Sequence, residues 1–346
     1  MRPDFRIIAD GADVTAKLRD RLQRLDITDV DGVESDTLEI EIDDRDNAVA
    51  LPGKGAALRV WLGYRETGLD LMGAYIVDEV SVETSPAIII VHAKAAELKD
   101  SFKAQKTRYW ENTTVGGIVT RIAGEHDLPP AIDPQLAARP IAYLAQTEES
   151  DLHFLTRLGR RHDALLAPKN GRLVGVRRGD GRSGSGAALD GVVLRPGDVT
   201  LARASVGDRP KHGAVEAEWY DQRRAERRTI IVPQGSGEGA HMRLPHPYQN
   251  EEEAQRAAEA RGRELERAGG SLSVEMPGRT DIAAEMPVIM RGFREPIAGR
   301  WTIEQASHVL DQSGYRTTFE CGKGGDGDGD GDGDDGGEGD GSFYDE

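Results

Sequence analysis

DTLEIEIDD, residues 36–44, alternates apolar and polar side chains without a break. Leu38, Ile40 and Ile42 share one face of the extended chain, and the acidic and hydroxyl side chains between them share the other. A period of two is typical of a strand with one buried and one solvated face. The segment therefore predicts a half-buried β-strand.

Runs with the same alternation lie on the C-terminal side of this segment. They are ALRVWLGY at 57–64, YIVDEVSV at 75–82 and AIIIVHAKA at 87–95. Turn residues such as Pro52-Gly53 and Gly68 separate them. Short strands at intervals of about ten residues are typical of an antiparallel barrel or sandwich. We predict that residues 1–94 form a first β-barrel domain.

The hydrophobic period changes near residue 95, and residues 95–178 predict a small α/β insert domain. Thr113 or Thr114 can cap a first helix, and Ser150 marks the start of a second. The apolar stripe of the first helix contains Val115, Ile118, Val119, Ile122 and Ala123, and that of the second contains Leu152, Phe154, Leu155 and Leu158. These stripes are expected to form the core of the insert.

Two further features belong to the predicted insert. Arg157, Arg160 and Arg161 lie opposite the apolar stripe of the second helix, so we expect them to face outward. Lys169-Asn170-Gly171 lies between two short apolar runs and predicts a β-hairpin turn. The insert thus combines two helices with a small hairpin.

Residues 179–186 read GDGRSGSG, and this composition predicts a flexible connector over residues 179–190. Strand patterns then return and predict a second β-barrel domain over residues 191–321. The runs are AVEAEWYD at 214–221, RRTIIV at 227–232, LSVEM at 272–276, MPVIM at 286–290, RWTIEQASHV at 300–309 and GYRTTFE at 314–320. One helix, at about residues 251–268, is predicted within this domain. Asn250 caps it, and three glutamates in its first turn interact favourably with the positive end of the helix dipole.

The composition and net charge of the chain narrow the classes of function that it can have. The chain has 346 residues, with 44 Lys and Arg against 61 Asp and Glu. Residues 322–346, the acidic tail, carry −9 of the net charge of −17, which leaves −8 for the body. A body of that charge is not expected to bind nucleic acid, because such binding depends on basic residues that neutralise phosphates.

The sequence also excludes a membrane-spanning helix, an internal disulfide and a multi-thiolate zinc site. The longest purely apolar run is residues 87–91, whereas a helix needs about 20 apolar residues to cross a bilayer. No signal peptide precedes the first strand, so a soluble protein made in the cytoplasm, without membrane contact, is expected. Cys321 is the single cysteine, which excludes an internal disulfide and a multi-thiolate zinc site.

The acidic tail has a partial resemblance to a calcium loop. Asp326, Asp328, Asp330 and Gly331 match the first half of an EF-hand, but Gly337 occupies the position of the bidentate glutamate. Repelling carboxylates on a glycine-rich chain have no apolar surface to bury, which favours a disordered, solvating tail over weak divalent-ion binding.

The remaining candidates for metal-binding or catalytic residues are weak. His241 and His246 lie in a proline-containing loop without a third ligand, so no metal site is predicted. Glu125-His126-Asp127 could be drawn as an acid/base cluster, but adjacent side chains point in different directions, which favours a polar helix end. No catalytic, cofactor-binding or metal-binding residue is predicted, and the chain is expected not to be an enzyme.

The order of several segments carries a resemblance. Asp29-Val30-Asp31-Gly32 is followed by Glu34-Ser35-Asp36, and then by Leu51-Pro52-Gly53-Lys54-Gly55 and by QTEESDLHFLTRL at 146–158. With KDSFKAQKTRYWENTTVGGIVTRIAGEHDL at 99–128 and HPYQNEEEAQRAA at 246–258, this order resembles the phage late control gene D family of contractile-tail proteins. The resemblance covers nearly all of residues 1–321.

The resemblance implies a baseplate hub, similar to the N-terminal half of VgrG spikes. It implies a mainly β chain with two tube-like β-barrels and an α/β insert. It further implies a homotrimer that joins the hexameric tail tube to a trimeric spike, in a virion or tail-like particle assembled in the host cytoplasm. The tail tube, the spike and other baseplate proteins are the expected partners. The acidic tail departs from the family pattern, and no OB barrel follows, so a separate spike protein is expected.

Other functions remain open at this stage. A hub that also degrades cell wall would need an acid pair on a domain of its own. A small-molecule-binding β protein would need a built pocket. A transcriptional regulator would need a basic recognition helix, which the sequence does not contain. Of these, the structural hub is the function that the sequence favours.

Overall fold

The structure is a computed structural model, and it describes residues 1–30, 36–95, 100–169, 171–177, 191–206, 212–221, 223–234, 239–267 and 269–323. The predicted connector at 179–190 lies outside the described residues. The same holds for the predicted disordered tail, except for Gly322 and Lys323, which belong to the last strand. The acidic tail therefore leaves the described fold after Lys323.

The described part of the chain contains 21 strands and five α-helices. The strands of the first half are β1 (Pro3–Ala9), β2 (Ala12–Asp13), β3 (Leu22–Val30), β4 (Thr37–Asp43), β5 (Ala57–Tyr64), β6 (Gly68–Thr84), β7 (Ala87–Ala95), β8 (Gln105–Thr114), β9 (Pro130–Ile132), β10 (Pro140–Ser150), β11 (Ala164–Lys169) and β12 (Arg172–Arg177). Those of the second half are β13 (Val192–Leu194), β14 (Leu201–Val206), β15 (Ala214–Asp221), β16 (Glu226–Pro233), β17 (His241–Arg243), β18 (Gly270–Pro277), β19 (Pro287–Met290), β20 (Gly299–Asp311) and β21 (Gly314–Lys323). The helices are α1 (Thr15–Leu18), α2 (Val115–Glu125), α3 (Pro134–Ala137), α4 (Asp151–Arg161) and α5 (Glu251–Arg267).

The prediction of a mainly β chain is confirmed, and the alternating segment 36–44 contains strand β4. Leu38, Ile40 and Ile42 of β4 are at most 5% exposed, while the residues between them are partly solvated. β4 pairs with β3 on one side and with β7 on the other, both antiparallel. The period of two in the sequence therefore corresponds to one buried sheet face.

Most strands belong to one large sheet. Its 13 strands run in the order β14-β18-β21-β20-β3-β4-β7-β6-β5-β1-β2, and β13 and β19 join it beside β20. Within the described residues β14 and β2 are each paired on one side, so the ladder of hydrogen bonds does not close. The barrel form predicted for residues 1–94 and 191–321 is thus not seen as a closed sheet.

The two predicted β domains share this sheet because β20 pairs with β3. Gln305 lies opposite Val30, and Asp311 lies opposite Arg24, in an antiparallel ladder. A period of two marks a strand but does not identify its partner when the partner is hundreds of residues away. The sequence therefore gave no sign of this pairing.

Two hydrophobic clusters lie against the large sheet. The first is built mainly from β1 to β7, but it also contains Leu310 and Tyr315 from the last two strands. The second contains Met276, Trp301 and Phe319 and belongs to the C-terminal strands. Leu310 and Tyr315 thus continue the contact between the halves on the apolar side of the sheet.

The insert has a core of its own. Thr114 accepts a hydrogen bond from the Gly117 backbone and Ser150 accepts one from the His153 backbone, so both predicted helix caps are confirmed. The predicted apolar stripes are buried together, apart from Leu152, which is partly buried. Lys169 lies opposite Arg172 in an antiparallel pair, as the hairpin signal predicted.

Two features of the insert differ from the prediction. β8 and β10 form a separate two-stranded ribbon that the sequence did not reveal, because polar side chains occupy both faces of these strands. Arg160 is exposed as expected, but Arg157 and Arg161 are only 37% and 36% exposed at their side chains, because each forms an ion pair. Arg157 contacts Glu149, so it supports the end of the ribbon.

A second small unit lies within the C-terminal half. β15 pairs with β16 and β17, and α5 packs on this sheet through Ala254 and Ala258 against Val215 and Ala217. The Asn250 side chain accepts a hydrogen bond from the Glu253 backbone, which confirms the predicted cap. No helix among the described residues is long and apolar enough to cross a membrane.

The burial of α4 leads to a stability prediction. Leu155 is fully buried in the core of the insert, so Leu155→Asp would bury a carboxylate without a partner and is expected to cost several kcal/mol, about 3 or more. Arg160→Ala, one turn later on the exposed side, is expected to change stability by less than about 0.5 kcal/mol. Thermal unfolding followed by circular dichroism measures both, and equal melting temperatures would contradict the assigned helix face.

Candidate functional site

Three parts of the chain meet at Asp29, which lies near the end of β3. Lys169 Nζ, from the insert hairpin, donates a hydrogen bond to Asp29 Oδ1 at 3.0 Å. The backbone N–H of Ala284, from the C-terminal half, donates to Asp29 Oδ2 at 2.8 Å. Asp36 lies beside this pair and accepts a hydrogen bond from the Val30 backbone at 3.2 Å. We call Asp29, Asp36, Lys169 and Ala284 the Asp29 joint.

Burial makes the charges of the Asp29 joint interdependent. Burial, together with the neighbouring Asp29 carboxylate, raises the pKa of Asp36 to about 7, although Lys169 acts in the opposite direction. Burial acts to lower the pKa of Lys169, but the carboxylates of Asp29 and Asp36 outweigh it and hold that pKa above its ordinary value. Lys169 therefore stays charged while Asp36 gains or loses a proton near neutral pH.

A second buried carboxylate, Asp151, organises the insert. Asp151 begins α4, and its side chain is fully buried. Its oxygens accept hydrogen bonds from Lys106 Nζ at 2.5 Å, Arg108 Nη2 at 2.6 Å and Gln146 Nε2 at 2.9 Å. Burial acts to raise the pKa of Asp151, but the hydrogen bonds from Gln146, Lys106 and His126 and the charge of Arg108 hold it below its ordinary value. We call Asp151 and these partners, with His126, the Asp151 cluster.

His126 links this cluster to Ser101. His126 Nε2 lies 2.8 Å from Asp151 Oδ2, and His126 Nδ1 lies 2.8 Å from Ser101 Oγ. Phe102 stacks on the imidazole at a centroid distance of 3.6 Å. His126 lies at the end of α2, where a polar helix end was predicted, but it is only 2% exposed and belongs to a buried network.

Ser101, His126 and Asp151 are the residue types of a hydrolase triad, and two hydrogen-bond contacts connect them in that order. The charges around Asp151, however, differ from those of a hydrolase site. A triad carboxylate stabilises the positive charge that forms on histidine during catalysis. Asp151 and Glu125 together pair with Lys106 and Arg108, so the negative charge of Asp151 is already engaged by two permanent cations and is not reserved for a histidine. The arrangement suits a rigid structural network in which ribbon and helices share one buried charge.

The other predicted candidates stay apart. His241 Nδ1 lies 2.7 Å from Glu216 Oε1, and both His241 and His246 are exposed. Among the described residues no group of three or more His, Cys, Asp and Glu side chains is arranged to hold a metal ion. Cys321 is buried in β21, and burial raises the pKa of its thiol.

A surface cleft of about 440 Å³ lies where the two halves meet. Tyr64 donates a hydrogen bond to the carbonyl of Gly278 at 2.9 Å, and Thr280 Oγ1 lies 2.5 Å from Asp70 Oδ2. These contacts join residues more than 200 positions apart across the cleft. Together with the β3–β20 ladder, they fix the two halves against one another.

The open ends of the large sheet are the surfaces best suited to assembly. β14 pairs with β18 on one side, and among the described residues its other edge has no strand partner. Leu201 at its start is 49% exposed. At the opposite end, β2 covers β1 only at Ile8 and Ala9. Unpaired strand edges readily pair with another chain, and proteins commonly cover them by assembly.

Comparison with known proteins identifies the fold and its role. Residues 36–314 match the family described as phage tail baseplate hub (GPD). The chain belongs to this family. The predicted resemblance to late control gene D proteins is therefore confirmed, and with it a structural role in a tail baseplate.

Relatives from two phages support the assignment. The chain is 30% identical over 360 aligned positions to the probable baseplate hub protein of Escherichia phage P2, covering 92% of this chain and 93% of that protein. The probable baseplate hub protein of Escherichia phage 186 is 28% identical over the same length, with 92% of each chain covered. These alignments span almost the whole of each protein.

Solved structures extend the likeness of fold to secretion systems. The 43 kDa tail protein of prophage MuSo2 from Shewanella oneidensis superposes with a TM-score of 0.68 at 13% identity, covering 92% of this chain and 98% of that one. The E. coli c3393 protein, a component of the type VI secretion system, gives 0.52 at 12% identity, with 87% and 73% covered. A chain of the Francisella PdpA–VgrG complex gives 0.55 at 9% identity, with 93% and 58% covered.

The Asp29 joint leads to a prediction about pH. The folded-state pKa of Asp36 is about 7, whereas an unfolded aspartate has a pKa of about 3.9. Between these values the folded protein holds a proton that the unfolded chain has released, so stability falls as pH rises through this window. Asp36→Asn is therefore expected to match the wild type near pH 4 and to exceed it at pH 8 by on the order of 1–4 kcal/mol.

Chemical denaturation at a series of pH values measures this difference. Asp20→Asn is the matched control, because it removes one carboxylate from an exposed position. It is expected to leave the pH slope of the wild type unchanged. An Asp36→Asn variant that is less stable than the wild type at pH 8 would show that the charged form of Asp36 supports the joint.

Proposed function

We propose that this protein is the hub of a contractile tail baseplate, and that three copies join the hexameric tail tube to a trimeric spike. Membership of the baseplate hub family, together with the VgrG-like fold, carries the proposal. The particle is a phage virion or a related injection machine. The partners are the tube, the spike, neighbouring baseplate proteins and two further copies of this chain.

The arrangement of the large sheet suits a threefold ring. Each chain contributes two β-rich halves, one from β1–β7 and one from the C-terminal strands, and β3 and β20 join them side by side. Three copies would place six such halves around an axis, which matches a sixfold tube above and a threefold spike below. Each half would curl toward the tube-like barrel that the resemblance implies.

Ring closure also accounts for the open edges. The β14 edge of one copy would meet the β1–β2 edge of the next, in a head-to-tail contact repeated three times. Such a contact covers both edges in every copy and leaves none for open-ended growth. The apolar side chain of Leu201 would be buried in this interface.

The role we propose is structural rather than enzymatic. The charged groups of the Asp151 cluster, together with Glu125, neutralise one another, and the relatives that cover the chain are named as hub proteins. No arrangement in the described residues favours the cell-wall-degrading or small-molecule-binding alternatives over the hub. Ser101→Ala is accordingly expected to leave particle infectivity unchanged.

The ring proposal predicts an effect of charge at the β14 edge. Leu201→Asp is expected to abolish the trimer while leaving the melting temperature of the single chain nearly unchanged, because Leu201 is exposed within one copy. Leu71→Asp is the matched control, since Leu71 is also 49% exposed but lies on β6, away from both edges. Native mass spectrometry of hub coexpressed with tube and spike proteins measures the copy number.

Three outcomes would contradict the proposal. If the wild-type sample contains no species with three copies of this chain, the proposal of a trimer is wrong. Trimers of Leu201→Asp at the wild-type level, or loss of trimer with Leu71→Asp alone, would place the interface elsewhere on the molecule.

A further inference from the structure

The ribbon of β8 and β10 carries an exposed aromatic pair. Tyr109 and Tyr143 are 67% and 45% exposed, and their rings lie nearly parallel with a centroid distance of 6.5 Å. Trp110 and Leu144, the next residues along each strand, are buried in the core of the insert. One face of the ribbon is therefore covered by the insert, while the other presents two large rings of a type that is enriched at protein interfaces.

Glu111 lies on the same exposed face. It follows Tyr109 by two residues on β8 and lies directly opposite Tyr143 on β10, so its side chain is beside both rings. Glu111 is exposed and has no ion-pair partner among the described residues. We call Tyr109, Glu111 and Tyr143 the tyrosine face.

The charge of the tyrosine face is negative. The residues beside it on this side of the ribbon are uncharged: Thr107 and Thr113 on β8, and Ile141 and Ala145 on β10. The basic side chains of Lys106 and Arg108 alternate with these residues along β8, and they pair with Asp151 and Glu125 on the insert side. The carboxylate of Glu111 is thus left without a nearby cation.

The two outer edges of the ribbon differ. On β10, the side chain of Gln249 donates a hydrogen bond to the carbonyl of Tyr143 at 3.2 Å. Arg157 Nη2 donates to the carbonyl of Ala145 at 2.7 Å. Both carbonyls therefore point away from β8, and side chains already cover this part of the β10 edge.

The outer edge of β8 is open. Because the backbone groups of Tyr143 and Ala145 point outward, these residues belong to the pairs of an antiparallel ladder that exchange no hydrogen bonds. Their partners are Glu111 and Tyr109, whose N–H and C=O groups must then point outward from β8. No described residue forms a hydrogen bond with these groups. Unpaired strand edges of this kind readily pair with another chain.

Tyr109 and Glu111 thus combine an open backbone edge with an aromatic and acidic face. An extended segment that pairs with this edge places every second side chain on the tyrosine face. A Lys or Arg side chain at such a position contacts the ring of Tyr109 as a cation and pairs with the carboxylate of Glu111. An acidic side chain at the same position is repelled. Charge therefore selects the segment.

We propose that β8 binds an extended, basic segment of a partner protein as a third, antiparallel strand, with a Lys or Arg side chain of the segment against Tyr109 and Glu111. Backbone hydrogen bonds supply affinity, and the tyrosine face supplies the preference for a cation. This surface is separate from the β14 and β2 edges that close the ring, so it provides the hub with a second kind of contact. The proposal does not depend on the trimer.

Surface plasmon resonance on the immobilised full chain tests the preference for a cation. The probe is a blocked peptide, Thr-Val-Thr-Arg-Thr-Val-Thr, in which the arginine and both valines share one face of a strand. It is expected to bind about tenfold more tightly than the same peptide with Glu in place of Arg. Equal binding of the two peptides, or no binding of the arginine peptide at concentrations up to about 1 mM, would overturn the proposal.

A charge reversal locates the acidic partner. Glu111→Lys is expected to reverse the preference, so that the glutamate peptide binds more tightly than the arginine peptide. Glu83→Lys is the matched control, because Glu83 is also an exposed strand carboxylate without an ion pair among the described residues, but lies on β6 of the large sheet. It is expected to behave as the wild type. A Glu111→Lys variant that still prefers the arginine peptide would overturn the proposal.

The aromatic contribution has its own pair of variants. Tyr109→Ala is expected to weaken binding of the arginine peptide about fivefold, through loss of the cation–π contact and of packing. Tyr220→Ala removes another exposed ring, on β15, and is expected to have no effect. Both positions are exposed, so circular dichroism is expected to show folded protein in each case. Equal binding to the two variants would contradict a role of the tyrosine face.

Methylated peptides test strand addition itself. In an antiparallel pair with Tyr109 and Glu111, the residues of the peptide that face the rings also direct their N–H groups to β8. Methylation of both valine nitrogens is therefore expected to weaken binding about tenfold, through loss of two hydrogen bonds. Methylation of the two threonine nitrogens that flank the arginine is expected to have a much smaller effect. Equal or reversed effects would contradict antiparallel pairing with β8.

Discussion

The antiparallel ladder between β3 and β20 is the constraint on which the rest of the structure depends. It joins Val30 to Gln305 and Arg24 to Asp311, and so turns two strand-rich halves into one sheet. The contacts around it follow from this join: Leu310 and Tyr315 enter the N-terminal core, and Ala284 reaches Asp29. Because ladder bonds run between backbones, the join does not depend on any single side chain.

Buried charge supplies the specificity that this backbone join lacks. Asp29 receives Lys169 from the insert, and Asp151 holds the ribbon and helices of the insert together. Buried ion pairs add little net stability, but removing one partner is costly, so they penalise every other arrangement of the parts. A baseplate hub that presents fixed surfaces to neighbouring tail components benefits from that penalty.

Local signals in the sequence predicted local structure well. The alternation at Leu38, Ile40 and Ile42 and the caps at Thr114, Ser150 and Asn250 are confirmed, because each depends on neighbours within a few residues. The β3–β20 pairing and the Asp151 cluster depend on residues far apart, and no spacing motif encodes them. Segments 99–128 and 146–158 of the family resemblance contain the members of the cluster, and the run Glu125-His126-Asp127 pointed to its histidine, but neither signal showed that Asp151 lies at its centre.

The β3–β20 ladder also sets an order of events during synthesis. β3 is complete about 275 residues before its partner leaves the ribosome, as the distance from Val30 to Gln305 shows. At 5–20 residues per second this delay lasts roughly 15–55 s. During that time one edge of β3 waits without its native neighbour, while the insert, whose contacts are mostly internal, can already fold. In the nascent hub this edge therefore stays open to pairing with another chain until the last strands are made.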